Sequence, residues 1–429
     1  MIDYTTNLNL AKPRLDELIT PAQFNSNFDI IDAALNEPVG TTKMGMTNPY
    51  GAKGLLCNGA ALNTATYPAL AAVLRDAPAL DWAATGVSGD TSFEVVKFGN
   101  YWVKRTGNGG GVSIYYATDP AGVWTVSTFT NIASIYKIKV VNGYLVVLGR
   151  NLANTSQMVF YSNTTPDYAS FTGVAVSSNV NYLISDIVHD GTYYYVLTFV
   201  TNGSGVIYYC ATIGGTWVAG NGTTLTGITS AFGSPNQGCG NMVYGAGNIS
   251  VIYNNAQAVY SWNMTTAQAR SSGGSWQGLG ANATGLYAVY DGARFVFVST
   301  PSGTYETAVK IYYSTAPPLS TNLTARRIKT LPPSCTASTL RLLDGVLYIV
   351  GQLQSSSSPI GTYILSTDDV TKSWDYIEIV PTSQFTDIAK DSVNFVAGGY
   401  STTTVFSCPA KRLPLLADDV LNSYIKALT

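Results

Sequence analysis

One hairpin recurs seven times in the chain, and it constrains the fold more than any other feature. An apolar strand runs into a small or acidic residue plus glycine, and a second apolar strand leaves it. The copies are VVKFGNYWV, IKVVNGYLVVLG, DIVHDGTYYYVL, MVYGAGNISVIY, YAVYDGARFVFV, LRLLDGVLYIVG and IAKDSVNFVAGG. Their turn residues, Gly99, Gly143, Gly191, Gly247, Gly292, Gly345 and Ser392, are spaced by 44, 48, 56, 45, 53 and 47 residues. Asp-Gly and Asn-Gly pairs favour the positive φ of two-residue hairpin turns. Each hairpin is followed by a third strand: SIYYATD, MVFYSNT, VIYYCAT, AVYSWNM, KIYYSTA, TYILSTD and the shorter TTVFSCP. An aromatic residue then opens a fourth strand at Trp124, Phe171, Trp217, Trp276 and Trp374, while one copy has TARRIK (324–329) instead.

Four strands per copy, seven times over, predict an all-β fold, a seven-bladed β-propeller spanning 80–408. A β-sandwich is the competing architecture, and it leaves seven ordered copies unexplained. The last copy has only three strands, ending near Cys408. Trp82 lies 17 residues before Gly99, against 19, 16 and 18 for Trp124, Trp276 and Trp374 before their next turns. Residues near 80–87 are therefore expected to complete the blade built by 385–408 and to remove the open edges of the ring. The chain then enters and leaves on the face that carries the tight first–second and third–fourth turns. The opposite face carries loops of varied length, the longest expected at 219–240, 299–308 and 351–361, where recognition on a rigid scaffold usually sits.

Only 11% of the residues are charged, 23 Lys+Arg and 25 Asp+Glu, against about 25% in an average chain. A net charge of −2 gives no footprint for nucleic acid. No run of 18 apolar residues is present to span a membrane, and MIDYTTNLNLAKPRLDEL lacks a signal-peptide core. The five cysteines, 57, 210, 239, 335 and 408, are scattered, which argues against a disulfide framework and for folding in reducing cytosol. Cys239 and Cys335 lie in connecting loops without zinc-ligand spacing, and no metal or cofactor is expected.

The flanks have a different texture. In residues 1–40, Phe24, Phe28, Ile31 and Leu35 form one stripe on a helix, and Thr20-Pro21 offers its N-cap and first position. That stripe is expected to attach the chain to a partner or a second copy. In 41–79 a short strand over Gly54–Cys57 runs into an Asn58-Gly59 turn, and a helix starts near Tyr67-Pro68.

Three stretches carry resemblances. ATDPAGVW, CATIGGTW and STDDVTKSW resemble degraded Asp-box turns of sialidase-type propellers: Asp119 and Trp124 match in the first, Gly214 and Trp217 in the second. Ser366 and Asp368 match in the third, with Trp374 one place late. Such turns are structural in that family. GLLCNGAALNTATYPALAAVL (54–74) resembles the start of the phage tail collar domain, and RLPLLADDVLNSYIKAL (412–428) resembles the end of such proteins. NLNLAKPRLDELITPAQFNSNFDIIDAAL (7–35) resembles the attachment segment of tail fibre and baseplate proteins. The resemblances imply a split collar-like domain, 41–79 plus 409–429, with 54–57 paired to Tyr424–Leu428 and the propeller inserted between. They also imply a virion protein made in the bacterial cytoplasm, partnered by other tail or baseplate proteins and homo-oligomeric, with a trimer favoured.

Candidate chemistry is sparse. The single histidine, His189, stands near Asp186 and Asp190, but Val141, Tyr290 and Leu343 hold its place in other copies, so a hairpin-flanking role is expected. A sialidase-like site needs converging arginines, and none of Arg105, Arg150, Arg270, Arg294, Arg326, Arg327 and Arg341 recurs at one repeat position in three copies. GNGGGV (107–112) lacks the Lys-Ser/Thr and helix of a phosphate loop and, like Ser355–Ser358, is expected to be a loop. No enzyme is expected. The expected function is receptor binding at a tail fibre tip, recognising a bacterial surface glycan or protein through Phe232, Asn236, Tyr305, Glu306 and Ser355 on the irregular face. Ring-face stacking and low charge suit a neutral glycan. The alternatives are a glycan-depolymerising tail spike and a purely structural baseplate component.

Overall fold

The computed structural model describes residues 3–4, 11–12, 42–45, 54–56, 65–73, 82–85, 92–106, 111–178, 182–200, 205–220, 241–252, 259–263, 270–271, 283–301, 309–315, 324–327, 335–355, 358–372, 374–379, 384–400, 405–410 and 422–426. The chain divides into two compact units, Met1–Ala77 with Pro409–Thr429, and Pro78–Cys408. The larger unit is an all-β propeller. Its described strands form seven four-stranded antiparallel sheets. Six of these use four consecutive strands each, opening with Ser92–Phe98, Ile132–Val141, Tyr182–His189, Asn241–Gly245, Ala283–Tyr290 and Cys335–Leu343, here sheets one to six. Sheet seven combines Gln384–Lys390, Asn394–Tyr400 and Val405–Pro409 with a strand from far upstream, Ala83–Thr85. Each first strand packs against the next, and that of sheet seven packs against that of sheet one, which closes the circle.

The second strands explain the apolar runs in the sequence. Leu145–Leu148, Phe295–Val298 and Leu347–Val350 are each buried along their whole length, because neighbouring sheets cover both faces. The closing strand pairs Ala83 with Ser407, Ala84 with Phe406 and Thr85 with Val405. Trp82, just before it, meets Phe385 edge-on at 4.9 Å between ring centroids. Ala83 and Ser407 stand side by side, so the two chain crossings lie on one face, as the sequence argument required. Arg294, in a first–second turn of sheet five, bonds Asp369, in a third–fourth turn of sheet six, at 2.9 Å, so both kinds of turn share that face.

The hairpin turns fall into two kinds where the sequence predicts one. Asn142-Gly143, Ala246-Gly247 and Asp344-Gly345 are two-residue turns with both residues at positive φ. The Asp-Gly and Asp-Ser copies in sheets three, five and seven are four-residue loops, closed by His189–Tyr194, Tyr290–Phe295 and Lys390–Phe395 pairs. There the aspartate folds back on its own loop. Asp190 accepts from Thr192 and Tyr193, Asp291 from Ala293 and Arg294, and Asp391 from Val393 and Asn394, all at 2.6–2.8 Å. The carboxylate closes the loop, so serine at 392 serves where glycine stands in the other two.

The Asp-box alignment needs one correction. In ATDPAGVW, Asp119 accepts from Ala121 N–H through its side chain at 2.9 Å and from Gly122 N–H through its carbonyl at 3.0 Å. In STDDVTKSW the same two roles belong to Asp369, with Thr371 and Lys372 as donors at 2.9 Å each. Asp369, not Asp368, is the box aspartate, and Trp374 then stands in register with Trp124. A second correction concerns 351–361. This stretch is not a long loop: strands Val346–Ser355 and Ser358–Thr367 continue to a Ser355–Ser358 pair. The sheet extends from a buried base, with Leu353, Gly361 and Thr362 all buried.

In the smaller unit, Asn422–Lys426 is the central strand of a three-stranded sheet. It pairs with Gly54–Leu56 through Tyr424–Leu56 and Lys426–Gly54, and with Thr42–Gly45 on its other edge. The Thr42–Gly45 strand carries no apolar alternation and was not legible in the sequence. A short helix follows at Pro68–Val73, with proline at its start. Asp3–Tyr4 and Ala11–Lys12 form a separate two-stranded ladder.

Candidate functional site

The first strands share a local irregularity. In sheets one, two, three, five, six and seven the register slips immediately before Glu94, Lys137, Asp186, Tyr287, Thr339 and Asp387, and in sheet two it slips a second time between Ile132 and Ser134. A bulge re-aims the side chain that follows it. Five of these six residues are charged or phenolic, and they meet. Lys137 Nζ lies 3.2 Å from Asp186 Oδ1 and donates to Asn241 Oδ1 at 3.2 Å, so one side chain ties sheets two, three and four. Lys139 donates to the same Asp186 oxygen at 3.0 Å. Arg341 holds Asp387 with two parallel bonds, Nε to Oδ1 at 2.7 Å and Nη2 to Oδ2 at 2.5 Å. The charges of Glu94 and Asp186 act on Arg341, Arg341 acts on Lys139, and Asp387 and Glu94 act on Tyr287. Groups from all seven first strands of a ring share one neighbourhood only at its axis. The axis is therefore a polar cluster in a chain with few charges to place.

The carboxylates also join neighbouring sheets. Glu94 accepts from Ile138 N–H at 2.9 Å, Asp186 from Met242 N–H at 2.8 Å and Asp387 from Val95 N–H at 3.1 Å. Each N–H belongs to the next first strand around the ring, where a bulge or strand start frees it from the ladder. Gln157 and Thr362 do the same for Ile184 and Phe385, at 3.2 and 3.0 Å.

Electrostatics within the cluster favour the ionised form of Asp186. Burial pushes the Asp186 carboxyl up, but Lys137, Lys139 and the Met242 N–H outweigh it and hold it below the usual carboxylate range. Burial pulls the Lys139 ammonium below the usual lysine range, and Asp186 offsets this only in part. Burial also opposes the charge of Arg341, but Asp387, Glu94 and Asp186 more than reverse that. Burial first, then Asp387, raise the Tyr287 phenol, so it stays a proton donor at neutral pH. Because the folded pKa of Asp186 is depressed, its stabilising contribution is complete above the ordinary carboxylate value and is lost as pH falls through the depressed one. The wild-type melting temperature is expected to fall steeply below about pH 4. Asp186→Asn is expected to melt lower at pH 7 and to lose less on acidification; an unchanged acid limb in differential scanning calorimetry refutes this role.

The residues named from sequence distribute differently. Phe232, Asn236, Tyr305 and Glu306 lie outside the described residues, as do the stripe residues Phe24, Phe28, Ile31 and Leu35. The backbone of Ser355 lies at the tip of the sheet-six hairpin opposite Ser358. His189 accepts from the Gly191 N–H at 3.2 Å and packs on the Tyr194 ring at 4.3 Å, a hairpin-flanking role. Its neighbours are engaged elsewhere: Asp186 by the lysines, Asp190 by its own loop and by the Tyr195 hydroxyl at 2.7 Å. Sequence reasoning missed the axial cluster because it searched the arginines alone for a common repeat position. The legible signal was a shared offset: Glu94, Asp186, Tyr287 and Asp387 each stand five residues before their turn residue. Among the described residues, no group of three or more His, Cys, Asp or Glu is placed to hold a metal ion, and no helix is long and apolar enough to cross a membrane. Cys210, Cys335 and Cys408 are buried and form no disulfide, and Cys335 opens the first strand of sheet six, not a connecting loop as the sequence suggests.

No family model matches the chain, and no curated protein matches it. Solved structures do. YCF48 from Cyanidioschyzon merolae is 10% identical with a TM-score of 0.51, over 76% of this chain and 98% of that one. A catalytically inactive virginiamycin B lyase from Staphylococcus aureus, bound to quinupristin, is 9% identical with a TM-score of 0.52, over 76% and 98%. The WD40 repeats of RRP9 are 10% identical with a TM-score of 0.51, over 83% and 99%. At such identities the likeness shows the propeller fold alone.

Proposed function

We propose that this chain is a phage tail fibre or tail-tip receptor-binding protein, a seven-bladed propeller inserted in a small collar-like domain that presents it to a bacterial surface receptor. The observation that carries the reading is the union of the chain's two ends. The collar-like stretch supplies a strand at Gly54–Leu56 and a helix at Pro68–Val73, and the strand from the similar C-terminal stretch lies directly beside the first. Both flanks fall in one compact unit and the propeller in the other. The chain enters and leaves the propeller at two adjacent strands, Ala83–Thr85 and Val405–Pro409, and the loops away from those crossings are the proposed contact surface. Several copies on one particle, a trimer in the simplest case, convert weak single contacts into firm attachment.

The test is adsorption of the fluorescently labelled protein, and of residues 41–429 alone, to a panel of candidate host cells. Saturable binding of both to a subset of strains is the expected result. Absence of binding to every strain that the parent particle infects moves the assignment to a structural baseplate component. Shortening of a surface polymer on incubation moves it to a depolymerising spike.

A further inference from the structure

We propose that the propeller axis is a binding site for a single oxyanion, a carboxylate or a phosphate, carried by an otherwise neutral ligand and received by Lys139 and Arg341. Three observations carry this. First, among the described residues the axial charges do not balance: Arg105, Lys137, Lys139 and Arg341 face Glu94, Asp186 and Asp387. Arg105 is matched to Glu94 at 3.0 Å and Arg341 to Asp387, while two lysines share the one carboxylate of Asp186. One positive charge is left over, in a protein whose net charge is −2.

Second, the most accessible axial groups are cationic. The side chains of Lys139 and Arg341 are each 26% exposed, against 17% for Glu94 and 2% for Asp186 and Asp387. A solute arriving at the axis meets ammonium and guanidinium first, with Asp186 and Asp387 sealed behind them. Third, donors remain. An ammonium carries three N–H donors, and among the described residues Asp186 takes one from Lys139. Tyr287 adds a phenol that stays protonated, on the same neighbourhood as Arg341. Low-dielectric walls around a small positive surplus concentrate its field on the opening.

This inference rests on the receptor-binding reading only for the source of the ligand, and it narrows that reading from neutral glycans to acidic ones, such as uronic acid residues or polyol-phosphate repeats. The probes are galacturonate, glycerol phosphate and galactose, titrated into the full chain by isothermal calorimetry at low salt. Saturable binding of galacturonate or glycerol phosphate is expected, on the order of millimolar, with galactose at least about tenfold weaker. Preference between the two anions identifies the source as carboxylate or phosphate.

Lys139→Met leaves Lys137 on Asp186 and is expected to weaken anion binding about tenfold or more with its unfolding midpoint kept. Lys139→Arg is expected to restore binding, and Lys372→Met, at an exposed lysine in the sheet-six turn, to change nothing. Absence of saturation by either anion, or wild-type binding in folded Lys139→Met, overturns the inference. If Lys139→Met does not fold, Lys139→Arg against Lys139→Gln decides by the same criterion. Cell adsorption that survives a failed titration leaves the receptor-binding reading standing, and anion binding without adsorption does the reverse.

Discussion

Asp387→Ala is expected to destabilise the propeller by about 3–5 kcal/mol, the range for breaking a buried ion pair from one side. Four donors converge on this carboxylate. Oδ1 takes Arg341 Nε at 2.7 Å and the Ile388 N–H at 2.9 Å; Oδ2 takes Arg341 Nη2 at 2.5 Å and the Val95 N–H at 3.1 Å. These donors belong to sheets six, seven and one, so the side chain ties three neighbours at the ring closure. Alanine leaves a guanidinium charge without its counterion and two buried N–H groups without acceptors, each of the latter costing about 1–3 kcal/mol before relaxation. Asn at 387 keeps the shape but turns one acceptor into a donor facing donors, so it is expected to recover less than half of the loss. Urea unfolding followed by tryptophan fluorescence measures the effect. In a double-mutant cycle with Arg341→Ala the two losses are expected to be subadditive by more than about 1 kcal/mol. A loss below about 1 kcal/mol for Asp387→Ala sinks the argument.

The second large effect concerns the borrowed strand. Two chains, residues 78–409 and residues 92–409, differ in residues 78–91, which hold Trp82 and the strand Ala83–Thr85. The longer is expected to be monodisperse and to unfold cooperatively, since it spans the whole larger unit. The shorter leaves Val405–Pro409 as an open sheet edge, and such an edge recruits other chains. It also uncovers Phe385, which packs under Trp82 on one side and against Phe406 at 5.1 Å on the other. Trp82 is half-buried, so its loss alone costs less than the ~3–5 kcal/mol of a fully buried tryptophan; with the open edge added, the shorter chain is expected to aggregate or to melt far below the longer. Light scattering and urea midpoints distinguish the cases. Equal behaviour of the two chains means that the upstream strand adds nothing to ring closure.

Much of this architecture could be read from residues in order. The hairpin copies placed the first and second strands, and the spacing of Trp82 to Gly99 located the strand that completes the last sheet, because an aromatic side chain opens the fourth strand in most copies. Where the reading missed, the competing physics is specific. Asp190, Asp291 and Asp391 look like Asn142 and Asp344 in their dipeptides, yet a carboxylate that bonds its own loop makes a four-residue turn in place of two. Ser355 and Ser358 read as loop residues by composition and pair as strand, because their sheet is already held by buried neighbours. Asp368 and Asp369 cannot be told apart in sequence, and only the N–H groups of Thr371 and Lys372 show which one closes the turn.

The axial cluster marks the boundary between the two sources of information. The sequence by itself determined the repeat with its seven hairpin copies, the all-β class and the strand that joins the ends, since these follow from local alternation, turn chemistry and spacing along the chain. It also held the offset that marks Glu94, Asp186, Tyr287 and Asp387 as equivalent. Only the tertiary structure decided that these four, with Lys137, Lys139 and Arg341, face one another. Up to 292 residues separate the partners, as between Val95 and Asp387. Their meeting depends on a bulge in six of the seven first strands and on closure of the ring, which bring distant side chains within bonding distance.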